Sequence, residues 1–555
     1  MLTLIGGLTI NSTMIDLNLH GIALDEPCCL QLAHAIHTMV NMKRINLRDG
    51  YMGPKGSLMV LTSLETANQI EYMDLTNNRI GPGSIVPLQG LLKNLSSCLK
   101  TLYLGDNDLM DSGGFIICTG MTSASLTDVD LSTNQFTEKV AEAIAAVARG
   151  IIIHGKKVSD CTIRRFIISD NPKMGARGAR EIFKACISGK FEHLELCNIG
   201  AGPASAQLVS QAVRSKTLTW QYVDFSGNFF GRAGLNDIFW GMRRNRKIRV
   251  FKVGDNKAGP RFATEDDALL KHGISLARSI QINNIIRELD LSYNGLSSSA
   301  GNIIFDAMLG NIQSVLTYTI NTNTNNDTTI DNYTIRKLVL RGNVMDDETS
   351  PYLCDLLKHN NVIDYLDIGD NRMGYDCLFS IAEGIDVNRS IQTLHLDYNR
   401  FGNAGVITVE SFSRALMVNH TLRNLYMDGN KLGPEWIMEL CKGLVRNDTL
   451  IRVSLRDNRL DPKSGKALVD IFKNSWSLIE LGLSADEIGD ANWAEHLNIF
   501  KSKRAVVREK EMVLDTEVSD PGHGLCDQYE WEYEYDQNRD DNRHLAENMD
   551  SHEQV

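Results

Sequence analysis

The sequence predicts an α/β solenoid of about 16 coils. Each coil lends one short strand to a shared parallel inner sheet and one helix to the outer wall. Three observations predict it. A polar turn residue, usually asparagine, recurs about every 28 residues. Apolar residues in strand alternation precede each recurrence. A stretch with apolar residues at i, i+3 and i+4 follows it.

The unit is clearest at 422–436, LRNLYMDGNKLGPEW. Leu422, Leu425 and Met427 are the inward residues of a strand, so Tyr426 between them must point outward. Asn430 is short and polar and can satisfy backbone groups as the chain turns. Gly433 and Pro434 open a helix that the apolar pattern carries towards Leu450. One such unit cannot bury its own apolar face and needs a neighbour on each side.

The turn position falls at Ile22, Gly50, Asn78, Asn107, Asn134, Asn171, Ile199, Asn228, Asn256, Asn294, Asn343, Asn371, Asn399, Asn430, Asn458 and Asp486. Twelve of the 16 are asparagine, and Asp486 reads as a near substitute. The steps are 27–31 residues except for three of 37, 38 and 49, which place insertions near 149–160, 260–272 and 316–334. Insertions in solenoids go to surface loops because the core cannot absorb them. Between turns, SAQLVSQAVRSKTL (205–218), EIFKACISGK (181–190) and GKALVDIFKNSWSL (465–478) carry the helical stripe.

The motifs LTNNRIGPGS (75–84), LSTNQF (131–136), LDIGDNRMG (366–374), LHLDYNRFGNAG (394–405) and LRDNRLD (455–461) are leucine-rich repeats. Over roughly residues 10–500 the chain resembles the ribonuclease-inhibitor class of leucine-rich repeat proteins. That resemblance implies a horseshoe with a concave parallel sheet and a full helix on the convex side of each turn. It also implies a binding protein. Members of the class act as inhibitors, sensing domains of receptors, regulators of small GTPases and subunits of large assemblies. The cysteine density of the ribonuclease inhibitor itself is missing.

The domain reading is therefore a repeat domain over 1–492, a capping helix over 493–514 and an acidic tail over 515–555. The start, MLTLIGGLTI, has no basic residue ahead of its apolar run and reads as an edge element. Trp493, Leu497 and Phe500 form the expected apolar side of the cap. From Glu511 onward there are 14 acidic residues against two arginines, a net of −12 that equals the net charge of the whole chain. Tyr529, Trp531, Tyr533 and Tyr535 alternate with acidic residues there, a pattern suited to docking a basic partner.

Eleven scattered cysteines, without CxxC or zinc spacing, fit a reducing compartment and an expected cytoplasmic location. The sequons at Asn419 and Asn447 carry little weight in a chain rich in Asn, Ser and Thr. The sequence holds no HExxH, GxSxG, phosphate-loop or EF-hand motif, and no run of 18 apolar residues. The reading is thus non-enzymatic, with no cofactor, no metal, no nucleic acid and no membrane insertion.

Strand register yields the central outward residue of each coil. In order these are Asn18, Asn46, Asp74, Tyr103, Asp130, Ile167, Glu195, Asp224, Lys252, Asp290, Val339, Asp367, His395, Tyr426, Ser454 and Gly482. Six are acidic and one is basic, so the midline between Asp74 and Asp367 is acidic; Arg44, Arg48, Arg452 and Arg456 flank it near the ends. At about 4.8 Å per strand the ladder runs on the order of 75 Å. The expected partner is a protein with a basic surface patch, met by Asp74, Tyr103, Asp130, Glu195, Asp224, Asp290, Asp367, His395 and Tyr426. The resemblance suggests two alternatives. One is a GTPase-activating protein for a Ran-like small GTPase, a group that also joins such a horseshoe to an acidic C-terminal segment; Arg79 is then the first residue to mutate. The other is a subunit of a ciliary, axonemal or other cytoskeletal complex.

Overall fold

The structure is a computed structural model that describes residues 12–121, 125–149, 162–262, 275–310 and 334–517, together with Ile5, Gly7 and Leu8. The tail beyond 517, most of the opening stretch and nearly all of the three expected insertions lie outside these residues.

Among the described residues, 16 three-residue strands form one parallel sheet in strict sequence order, from Asp16–Asn18 to Glu480–Gly482. Every neighbour pair matches the same repeat position, from Leu17 opposite Ile45 to Val453 opposite Leu481. The strands are short because each coil turns away after its second inward residue, yet the ladder continues past them. Leu19 donates to the Asn46 carbonyl at 2.8 Å, and Gly21 to that of Arg48 at 2.9 Å. The middle residues Ile45, Met73, Leu102, Val129, Leu194 and Val223 are fully buried. They join one apolar cluster that extends from Ile5 to Ile488. A fully buried residue of this kind contributes about 1.5–3 kcal/mol, realised only when the next coil covers it.

The expected asparagine file exists. All 12 turn asparagines are buried. Asn256 is typical. Its Nδ2 donates to the carbonyls of Phe225, Val253 and Gly254 at 2.9–3.1 Å. Its Oδ1 accepts from Asn228 and Phe230 N–H at 3.2 Å. Asn107, Asn134, Asn171, Asn294, Asn343 and Asn458 repeat this link to the coil before them. The residue just before each turn asparagine is left-handed, as at Asp106, Asp170, Asp255, Asp370 and Asp457, a conformation that Asp tolerates better than most residues. Tyr398 also adopts it, with its ring lying over Gly429, where a Cβ would sit 2.2 Å from the ring.

The helices end earlier than the apolar pattern predicts. Pro434–Leu444, Pro203–Ala212 and Pro462–Asn474 each stop several residues short of the expected stretch. A second file of side chains, Asn245, Asn283, Asn360, Asn388, Asn419 and Asn447, closes the helix-to-strand turn, including the one after Pro434–Leu444; Ser215 and Ser475 accept from Thr217 and Leu478 N–H after the other two helices. Asn419 Nδ2 donates to Ile385 O at 2.7 Å, and its Oδ1 accepts from Thr421 and Leu422 N–H. Asn447 does the same with Leu416 O and with Thr449 and Leu450 N–H. The sequons at Asn419 and Asn447 are thus buried turn elements.

The C-terminal end departs from expectation in three ways. Asp486 is not a turn corner: it sits in a short helix, Ala485–Ile488. Its neighbour Glu487 stands at the corner instead, with its carboxyl facing the N–H groups of Asn458 and Leu460 and its Oε2 buried without a hydrogen-bond partner. The closing helix runs over Asp490–Glu517 rather than 493–514. Within residues 1–500, which form one compact unit, its inner side is buried His496 with half-buried Trp493, Ile499 and Phe500 packed against the core; Leu497 is half-buried as well. His496 stacks on Trp493 at 5.2 Å and donates from Nε2 to Leu481 O at 2.7 Å.

Candidate concave binding face

The sheet register places all nine proposed body residues in one file. Asp74 stands beside Tyr103, Tyr103 beside Asp130, Glu195 beside Asp224, Asp290 beside Val339, and Asp367, His395 and Tyr426 follow in succession. Asp74 and Asp367 are buried, and the other seven are half-buried. The proposed tail residues Tyr529, Trp531, Tyr533 and Tyr535 lie outside the described residues.

Aspartate recurs in this file for a local reason. The backbone N–H two residues later emerges where the strand ends, and the carboxylate takes it. Asp74 accepts from Thr76 N–H, Asp224 from Ser226, Asp367 from Gly369, and Asp130 and Asp290 from Ser132 and Ser292. Asn18 and Asn46 do the same for His20 and Arg48. Burial pushes the Asp130 and Asp290 carboxyls above the usual range, and the serine partners recover only part of that.

The acidity of the midline is partly compensated by the outward file two residues upstream. Arg165 donates to the Tyr103 hydroxyl at 2.8 Å and to Glu195 at 3.3 Å. His193 meets the same Glu195 oxygen at 2.6 Å and stacks on Tyr222 at 3.9 Å. Burial alone would raise the Glu195 pKa, but His193 and Arg165 hold it below the usual value. Lys252 lies over Tyr222 and pairs with Glu288, which also pairs with Lys337 at 3.0 Å. Lys337 lies over Tyr365, which contacts His395, and His395 stacks on Tyr426 at 4.1 Å. An alternating series of rings, cations and carboxylates therefore crosses the face.

Its C-terminal part centres on Arg341, which bridges Asp367 at 2.9 Å and Asp397 at 2.5 Å. Gly369 makes room for this guanidinium, because a Cβ there would stand 2.5 Å from it. Asp428, half-buried beside Asp397, has its carboxyl pushed up to about 6 by burial and then by that like charge.

Reading only the central outward residue missed Arg165, His193, Tyr222, Glu288, Lys337, Tyr365 and Arg341. The same register, applied two residues earlier and two later, finds all of them. Arg79 has a left-handed backbone, and its guanidinium lies 5.6 Å from the centre of the Tyr51 ring. Among the described residues no group of three or more His, Cys, Asp or Glu could hold a metal ion, and no helix is long and apolar enough to cross a membrane.

Comparison with known proteins agrees with this architecture. A Leucine Rich repeat family model matches residues 387–409. The ribonuclease inhibitor of Mus musculus is 24% identical over 401 residues, covering 69% of this chain and 83% of that protein. The ribonuclease inhibitor of Sus scrofa is 23% identical over 403 residues, with the same two coverages. NACHT, LRR and PYD domains-containing protein 12 of Mus musculus is 25% identical over 323 residues, covering 57% of this chain and 27% of that protein. The chain is a leucine-rich repeat solenoid of about 16 units that resembles, at low identity, proteins of the ribonuclease-inhibitor type.

Proposed function

We propose that this protein is a protein-binding scaffold of an intracellular assembly, and that its concave face takes a partner with a basic surface patch. The observation that carries the reading is the single outward file in which Asp130, Glu195, Asp224 and Asp290 stand half-exposed among stacked tyrosine and histidine rings. Tyrosine, arginine and histidine on a preorganised sheet supply contact area, and the carboxylates supply charge matching, which acts on association rate and specificity more than on affinity. The nine described cysteines are all free thiols, which supports a reducing compartment such as the cytoplasm.

The test is affinity purification of the full chain against the triple variant Asp130→Asn, Asp224→Asn, Asp290→Asn, with mass spectrometry of what co-purifies. Asparagine keeps the oxygen that accepts the local N–H, so the fold is spared and only charge is removed. The expected result is loss of a recovered protein that bears a basic patch. Equal recovery by both chains refutes the reading.

A further inference from the structure

A second surface carries the opposite charge. The residue that begins each strand pairing also lies in a hydrogen-bonded file, running Arg164, Glu192, Gln221, Arg249, Arg287, Arg336 and Asp364. Arg249, Arg287 and Arg336 are successive members, each donating its backbone N–H to the carbonyl of the one before, so three exposed arginines stand on adjacent coils. Parallel neighbours stand about 4.8 Å apart, and like charges placed directly opposite destabilise a sheet. The turn leading into Arg249 adds exposed Arg244, Arg246 and Lys247.

Compensation is sparse. Arg336 pairs with Asp364 at 3.4 Å, Arg287 reaches the Thr334 carbonyl, and Arg246 reaches the Asn284 side chain. Among the described residues Arg244, Lys247, Arg249 and Arg287 have no ion-pair partner. The run is bounded by Glu192, paired with Arg164, and by Asp364. The patch therefore has ends. It is a defined cationic strip on the edge where helices return to strands, separate from the concave midline.

We infer that this strip is a docking site for an acidic, carboxylate-rich protein segment. Guanidinium forks fit carboxylates in pairs, and three of them within about 10 Å along one line face a short run of an extended acidic segment, whose residues advance about 3.3 Å each. The residues between these cations, Asn245, Ile248, Ile286 and Ile335, are buried, so the strip itself presents neither an exposed aromatic platform of the kind that single-stranded nucleic acid stacks on nor an apolar side chain that would enter a lipid surface.

The test uses the full chain and a fluorescein-labelled 20-residue polyglutamate peptide, read by fluorescence anisotropy at two salt concentrations. Charge reversal by Arg249→Glu with Arg287→Glu is expected to weaken binding at least about tenfold, since both the charge and the paired hydrogen bonds are lost. The milder Arg249→Gln with Arg287→Gln should weaken it less, with unchanged circular dichroism. A control pair of exposed cations on the outer helices, Lys139→Glu with Arg180→Glu, should leave it within twofold. Equal weakening by the control pair would show that only net charge matters and would overturn the inference. Tighter strip-dependent binding of a single-stranded oligonucleotide, or of phosphatidylserine vesicles, would overturn the choice of partner. Because the concave triple variant leaves the strip intact, it should still bind the peptide, which separates this proposal from the preceding one.

Discussion

Replacing Asn256 by alanine tests the physical basis of the solenoid. The substitution deletes a donor that serves three carbonyls and an acceptor that serves two N–H groups, in a position with no solvent access. All three carbonyls keep a second donor, Asn228 Nδ2 on Phe225 O, Asn294 Nδ2 on Val253 O and Gly227 N–H on Gly254 O, so their loss is mild. The N–H groups of Asn228 and Phe230 are left buried without partners, at about 1–3 kcal/mol each. The expected local loss is therefore about 3–5 kcal/mol. A long repeat array is not expected to unfold as one unit, so a single melting temperature would blur the effect. Hydrogen exchange on peptides covering 225–231 resolves it. A loss of 3 kcal/mol corresponds to about a hundredfold faster exchange. Protection at Phe230 within threefold of the unsubstituted chain would refute the account, and would mean that the file is a consequence of stacking rather than a cause.

Other outcomes follow from the same geometry. Arg341→Ala leaves the Asp367 and Asp397 carboxylates without their bridge in a half-dry site, and should destabilise those coils by about 3 kcal/mol at pH 7; His395 and Arg341 hold the Asp397 carboxyl below its usual value against burial, so the loss should be as large at pH 5 and shrink only as pH falls below about 4, which urea unfolding at pH 7, 5 and 3 checks. Gly369→Ala should displace the same guanidinium and reproduce part of the loss, so the double variant should fall well short of additivity. The carboxyls of Glu487 and Asp428 are pushed up to about 7 and about 6. The native state then holds protons that the unfolded chain has already released, so the stability they contribute is full below about pH 4 and is lost as pH rises to 7. Glu487→Gln should flatten that slope by about 1–2 kcal/mol, measured by exchange at residues 480–490 across pH 5–8. An unchanged slope would remove Glu487 from the account.

Much of this architecture was legible because its causes are periodic. A corner that must satisfy buried backbone needs the same short amide each time, so Asn78 through Asn458 announce the coils and, with them, the register of every outward residue. The helix ends were not legible from apolar spacing, because Ser215, Asn447 and Ser475 close the following turns by polar bonds that an apolar pattern does not record. The last coil was misread for a related reason. Asp486 is the chemically obvious substitute at the expected position, but the carboxyl that reaches the neighbouring N–H groups belongs to Glu487, one residue on and one methylene longer. On the face, sequence gave the sign of the midline but not its balance, since Arg165, Lys337 and Arg341 answer those carboxylates across strands.

The corner bonds between coils all run one way. Each asparagine closes the coil that came before it, so a coil just made is unfinished until about 28 more residues have emerged. Growth from a ribosome therefore always carries one open corner at its leading end. Shortening the chain is correspondingly lopsided. Removing coils from the front uncovers mainly apolar surface, whereas removing them from the back also strips a finished corner of its clasp.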